Sequence, residues 1–390
     1  MSSIARNSKF NIKIDYEKSK GSYIHDKNTG RSYLDLFGMY ASLPLGYNHK
    51  VFDTEEFKQE MLRVSKVKTN NCEFTSDEVI EFDKLFKKFA GAEKSHIHYT
   101  CTGALAVEAA IKCCLQYKNF HYPKILSFHD SFHGINSYSS FITSRFGGVN
   151  FRLNGIPELF SIKIDKKIEL VEKHLKSGDI TCVIVEPIQC TAGDIYLGKD
   201  FLTSLQQICT KYDVPLIMDE VQTGFGATGK CWYHEHFNLK PDIVVFGKKT
   251  QVSGIIVSEK TSNIFQDDSA VKLQVTWDGD VVDMVRCKHI IKALQASEWL
   301  ESIQERGTYL KTNIATLPNV IDVRNSGLIV GFDLTSGPFR DKIIDRLYKN
   351  GLICNSTGTS SIRLRPALNI DKKDIDIALQ IFNKTFKECS

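Results

Sequence analysis

The chain is predicted to be an α/β protein, with a large domain on a mostly parallel central sheet and a smaller α+β domain beside it. Three observations carry this. Through the middle of the chain, short apolar runs alternate with polar turns and helical patterns, the sign of a parallel sheet with helices on both faces. Near the C-terminus, helical patterns mix with the strand-like runs VIDVRNSG, LIVGFDLT and SIRLRPA. The chain has 390 residues, 42% hydrophobic and 25% charged, which is ordinary for a globular protein and long enough for two or three domains. The expected segments are 1–50, packing with the small domain, 51–285, the large domain, and 286–390, the small domain.

Residues 9–40 alternate apolar and polar positions around turns at Lys20-Gly21 and Asn28-Thr29-Gly30, so they read as short strands. Met39 to Tyr47 holds Pro44 and Gly46 and reads as a loop or strand end. Residues 53–91 are helical in pattern, with Phe82, Leu85, Phe86 and Phe89 on a core face. Repeated strand–turn units follow. His96–Tyr99 runs into Thr100-Cys101-Thr102-Gly103 and then a helix, and Lys124–Phe128 runs into the polar turn ending Phe132-His133-Gly134. Thr181–Val185 runs into Glu186-Pro187-Ile188-Gln189, Pro215–Met218 into Asp219-Glu220, and Asp242–Phe246 into Gly247-Lys248-Lys249. Helical patterns return from residue 283, and two more helices are expected at 338–350 and 371–387. Ligands of such sheets bind outside the carboxyl ends of the strands, where these polar turns fall.

Several function classes are excluded. The net charge is +4, and pairs such as Lys87-Lys88 and Lys372-Lys373 are solvated faces rather than a nucleic-acid tract. No apolar run approaches the ~18 residues of a membrane span. The eleven cysteines include no C-x-x-C pair, so no metal site is expected. MSSIARNSKFNIKID has no apolar signal core, and reduced thiols in a cytoplasm are the expectation. Gly224 to Gly229 matches G-x-G-x-x-G, but Cys231 to Phe237 is a poor apolar helix and no acid ends a second strand. Nucleotide binding is therefore not expected.

Asp219 and Lys248 end neighbouring buried runs. One chemistry needs that pair: the lysine holds pyridoxal 5′-phosphate as a Schiff base, and the carboxylate keeps the pyridine nitrogen protonated. Lys248 is preferred because it follows the small Gly247, whereas Lys249 would point the other way along an extended chain. Gly103 and Ala104 follow Thr102 where a strand gives way to a helix, a phosphate site by its free amides and helix dipole. Thr102 also suits a plain N-cap. Phe132 is placed to stack on a flat ring or to fill the core. Arg363 and Arg365 share one face of a strand, where arginine grips a carboxylate or lies solvated.

With these motifs, the chain resembles the class III aminotransferases of pyridoxal-phosphate fold type I, above all the L-lysine 6-aminotransferases and, further off, the 4-aminobutyrate aminotransferases. Asp219 to Gly224, Gly247 to Val252 and Gly103 to Glu108 match that family's motifs. The resemblance implies that Lys248 is the Schiff-base lysine, Asp219 the pyridine partner and Gln222 the contact to the ring hydroxyl. It implies phosphate amides at Gly103 and Ala104, a stacking Phe132, and Glu186 in the cofactor site. Thr276 is implied to reach the phosphate of a second subunit, giving a homodimer with shared sites. Arg365 is implied to bind the α-carboxylate of glutamate or 2-oxoglutarate. Ile135 stands where lysine aminotransferases have an arginine, Thr191 where they have a glutamate, and Asp278 and Asp280 where glycine and asparagine are usual. The implied reaction moves a terminal amino group from lysine or a related diamine or ω-amino compound to a 2-oxo acid. An aminomutase, an aminotransferase for another biosynthetic amine or carbonyl compound, and a silent binding protein stand as alternatives.

Overall fold

A computed structural model describes residues 10–144, 159–297 and 299–389. Among the described residues its first eleven strands are β1 (Tyr23–His25), β2 (Ser32–Asp35), β3 (His96–Thr100), β4 (Lys124–Phe128), β5 (Ser161–Ile164), β6 (Ile180–Val185), β7 (Ile188–Gln189), β8 (Ile195–Tyr196), β9 (Leu216–Asp219), β10 (Ile243–Phe246) and β11 (Ser253–Val257), and its centre is a seven-stranded sheet in the order β3-β11-β10-β9-β6-β4-β5. Neighbours from β10 to β5 are parallel, and β11 alone runs against both β10 and β3. Every residue of β6, β9 and β10 is buried, as continuous apolar runs covered on both faces must be. The expected α/β class with a mostly parallel sheet is thus borne out.

The expected helical stretch 53–91 is two helices, Glu55–Val64 and Asp77–Phe89, and Phe82 and Phe86 are fully buried in the second. Helix Gly103–Lys118 starts directly after β3. Its N-cap Thr102 accepts from Leu105 N at 3.3 Å. Helix Val281–Gln295 is continuous across residue 285. A four-stranded antiparallel sheet joins Val320–Ser326, Ile329–Leu334, Ser361–Leu364 and Asn355–Thr357, flanked by helices Gly337–Lys349 and Lys372–Cys389. The N-terminal strands Tyr23–His25 and Ser32–Asp35 pair with each other, and the second pairs in parallel with Leu352–Ile353. Among the described residues, no helix is long and apolar enough to cross a membrane.

The stretch expected as a loop at Met39 is a left-handed turn. Gly38, Met39, Tyr40 and Ala41 all have positive φ, from 51° to 69°. That hand costs roughly 1–2 kcal/mol per L-residue, so buried groups must hold it. Asp35 Oδ1 accepts from the amides of Phe37 at 2.7 Å and Gly38 at 2.8 Å. Gly38 is obligatory, because a Cβ there would lie 2.2 Å from the Arg365 carbonyl oxygen.

Candidate active site

Where β4, β6, β9 and β10 end, their loops and the start of helix Gly103–Lys118 enclose a cavity of about 240 Å³. Gly103, Ala104, Phe132, Ile135, Glu186, Asp219, Gln222 and Lys248 all line it. Parallel register explains the meeting: β9 and β10 run side by side, with Val245 opposite Asp219. The acid and the amine therefore emerge at the same sheet edge.

The floor is polar and buried. Asp219, 6% exposed, receives the amide of Val221 at 3.2 Å on Oδ1. Its Oδ2 lies 2.8 Å from Nδ1 of the buried His133. His133 Nε2 is buried and has no hydrogen-bond partner among the described residues. Glu186 is fixed by the Phe132 amide at 2.8 Å. Burial, and then the Asp219 charge, push its carboxyl well above the usual range. Lys248 is held at φ 57° in a short 3₁₀ turn, Lys248–Thr250. Burial and then the Arg363 charge press its amine below the usual lysine value, against the pull of Asp219. A neutral amine is thereby easier to reach.

The residues fit pyridoxal phosphate. Gly103 and Ala104 open a helix, so their amides lack intrahelical acceptors and suit a phosphate. The space needs small residues: a Cβ at Gly134 would meet that of Ala104 at 2.9 Å, and one at Gly103 would meet the Val221 side chain at 3.2 Å. A carboxylate backed by an imidazole faces an amine of depressed basicity, the donor set that a Schiff-base cofactor with a basic ring nitrogen requires.

Three expected residues do not line the cavity of their own chain, which for Thr276, expected to reach the phosphate of a second subunit, is no departure. Arg365, expected at the substrate, is closed off: it is 2% exposed, pairs with the fully buried Asp194, and donates to the carbonyls of Val330 and Leu364. The arginine nearer the cavity is Arg363, one strand repeat earlier. Its charge acts on Lys248 and Glu186. Both arginines reach the loop after Gln189, Arg363 through the Cys190 carbonyl at 3.0 Å. Thr191 lies in that loop and does not line the cavity. Thr276 is exposed and does not line it either, although Cys101 Sγ donates to the adjoining Trp277 carbonyl at 3.2 Å. Lys249 sits in a 3₁₀ turn rather than on an extended strand. It still points away, into the protein, donating to the Ala41 carbonyl at 2.7 Å.

Sequence reasoning gave no role to His133, Val221 or Tyr40, and it named Arg363 only jointly with Arg365, as a carboxylate grip or a solvated side chain. His133 was signalled only by its place beside Phe132, Val221 by following the acid pair. Tyr40, 59% exposed, stands on the left-handed turn and acts electrostatically on Arg363. No alternation of apolar and polar residues marks such a turn.

The chain resembles known proteins over nearly its whole length. The L-lysine-epsilon aminotransferase of Mycobacterium tuberculosis is 31% identical over 94% of this chain and 90% of its own length. That of Streptomyces clavuligerus is 30% identical over 95% and 90%. The structure of the M. tuberculosis lysine aminotransferase in the internal aldimine form superposes with a TM-score of 0.90 at 29% identity, covering 100% of this chain and 97% of that one. The model of the aminotransferase class-III family matches residues 4–386. Given that match, and a cavity fitted to pyridoxal phosphate, the chain belongs to the class-III aminotransferases, which are enzymes dependent on that cofactor.

Proposed function

We propose that this enzyme moves a terminal primary amino group from lysine or a related diamine or ω-amino compound to a 2-oxo acid, with 2-oxoglutarate the favoured acceptor. The observation that carries this is the Lys248 amine, depressed in basicity, lining one cavity with Asp219, Phe132 and the first-turn amides of Gly103 and Ala104. The relatives' names supply the amine class. Asp219 holds the ring nitrogen, Gly103 and Ala104 the phosphate, Gln222 the ring hydroxyl, and Phe132 the ring face. Glu186 closes the site behind Phe132. When bound, pyridoxal phosphate supplies an electrophilic carbon and an electron-withdrawing ring. Lys248 would anchor it covalently and, as a free amine, would move a proton at the substrate's amino-bearing carbon.

Arg363, not Arg365, holds the substrate carboxylate. It is 9% exposed, and among the described residues it makes no ion pair. Ile135, 67% exposed on the cavity wall, offers an apolar contact to the far end of the donor. Thr191 leaves the loop beside Arg363 without a carboxylate. Two copies form a homodimer in which Thr276 reaches the partner's phosphate, consistent with its exposure. The eleven cysteines, all unpaired among the described residues, suit a reducing cytoplasm.

A screen of amines with 2-oxoglutarate, read as glutamate formed, tests the reaction. Lysine, diamines and ω-amino compounds should yield glutamate. Lys248→Ala should abolish both turnover and the visible absorbance of lysine-bound cofactor. Conversion of a single amine without any 2-oxo acid would instead identify an aminomutase.

A further inference from the structure

The turn Lys248–Thr250 has two faces. One sends Lys248 into the cavity. The other sends Lys249, 3% exposed, into the protein, where no step of the reaction uses it. Its only hydrogen bond among the described residues runs to the Ala41 carbonyl at 2.7 Å. From the next residue but one, Gln251 Nε2 donates to the Ser42 carbonyl at 2.9 Å. Two side chains of the lysine turn thus hold the C-terminal end of the left-handed turn 38–41, while Asp35 holds its start. That turn carries Tyr40 edge-on to Phe37, with ring centroids 4.5 Å apart, packs through Gly38 against the backbone of Arg365, and brings Tyr40 near enough to act electrostatically on Arg363.

We propose that Lys249 is a positioning residue for carboxylate recognition: with Gln251 it clamps the left-handed turn so that Tyr40 and Arg363 form one seat at a fixed distance from Lys248. This rests on the reading that Arg363 holds the substrate carboxylate. The turn is intrinsically unfavourable, since Met39, Tyr40 and Ala41 have no glycine's freedom. It relaxes once its anchors go. A buried amine spent on one carbonyl is costly unless that carbonyl must be held, and burial with the Arg365 and Lys248 charges presses the Lys249 pKa down to about 7. A role limited to stability would lower the unfolding temperature and leave carboxylate affinity alone.

The test uses the cofactor-loaded enzyme and its Lys249→Met, Gln251→Ala and Arg363→Ala variants. Calorimetry reads binding of glutarate, a dicarboxylate that cannot react. Steady-state kinetics separate KM for 2-oxoglutarate from kcat, and the visible band reports the Lys248 linkage. Lys249→Met and Gln251→Ala should each weaken glutarate binding and raise KM by about five- to tenfold, the worth of one hydrogen bond. The band should stay and kcat should change less than about twofold. Should Lys249→Met not fold, Gln251→Ala decides alone. Unchanged glutarate affinity in these two, beside a loss in Arg363→Ala, overturns the role of Lys249. So does a loss of the visible band in step with kcat, which would place Lys249 behind Lys248 instead. Unchanged affinity in Arg363→Ala overturns the carboxylate reading, and the proposal with it.

Discussion

Arg363, on strand Ser361–Leu364, and Arg365, just past its end, do opposite work. Arg365 is spent inside the protein on Asp194, whereas the Arg363 charge acts on Lys248 and Glu186. Arg363→Ala should raise KM for 2-oxoglutarate by about 10²-fold, the loss of a charged contact, with the fold intact. Arg365→Met should instead destabilise the protein by about 3 kcal/mol or more, because Asp194 is left buried and unpaired. Steady-state kinetics beside denaturant unfolding separate the two. Glu186 gives a pH signature. Its folded-state pKa is raised above 4.5, so the folded protein keeps a proton that the unfolded chain releases, and stability falls as pH rises beyond that value. Glu186→Gln cannot titrate. The melting temperature of Glu186→Gln relative to the parent should therefore be more favourable at pH 8 than at pH 5, as scanning calorimetry would read it. Asp219 and Lys248 were legible in the sequence because each ends a run of apolar residues, and burial of the run fixes where its end emerges. The choice between the arginines was not legible, because alternation places both on one face and only the Asp194 loop tells them apart.

At the scale of elements, the strand–turn–helix rhythm was readable in the parallel strands buried on both faces, β6, β9 and β10. Strand β11 escaped because it returns antiparallel beside β10 after a turn only six residues long, the turn that carries Lys248. Rhythm alone cannot announce a reversal. The left-handed turn escaped for another reason. Its conformation opposes the preference of three of its four residues and is imposed by side chains outside it, the nearby Asp35 and the distant Lys249 and Gln251. Gly38 is the residue that allows it. Gly38→Ala combines a φ of +55° with a Cβ 2.2 Å from the Arg365 carbonyl oxygen, so it should cost roughly 2–4 kcal/mol and raise KM for the 2-oxo acid as well. Denaturant unfolding with kinetics on the same preparation would check both effects. A loss of stability with KM unchanged would mean the turn does not reach the substrate. The cluster Glu56, Glu60 and His289 could hold a metal by geometry. Its acids are already committed to Lys288 and Lys292, each at 2.7 Å, so it ties helix Glu55–Val64 to helix Val281–Gln295 as an ion-pair network.

For the whole molecule, the exposed stretch around Thr276 decides how many chains make one site. Val275 and Trp277, on either side of Thr276, are 46% and 49% exposed, and apolar side chains left open together mark an interaction surface. In a two-fold dimer the same patch serves both copies. Each cavity would then hold its own Lys248 and borrow its partner's Thr276. That arrangement makes a test no single variant offers. Thr276→Ala should weaken cofactor retention by about tenfold through the lost hydroxyl contact, and Lys248→Ala should be inactive. When the two are unfolded together, refolded and assayed at limiting cofactor, a mixed dimer holds one cavity with Lys248 from one chain and Thr276 from the other. Random pairing makes half of the dimers mixed, each with one of its two cavities complete, so about one quarter of parental activity should return. Recovery to that level would place Thr276 across the interface. A mixture no more active than its separate components would place it within its own chain, and each protomer would then carry a complete site.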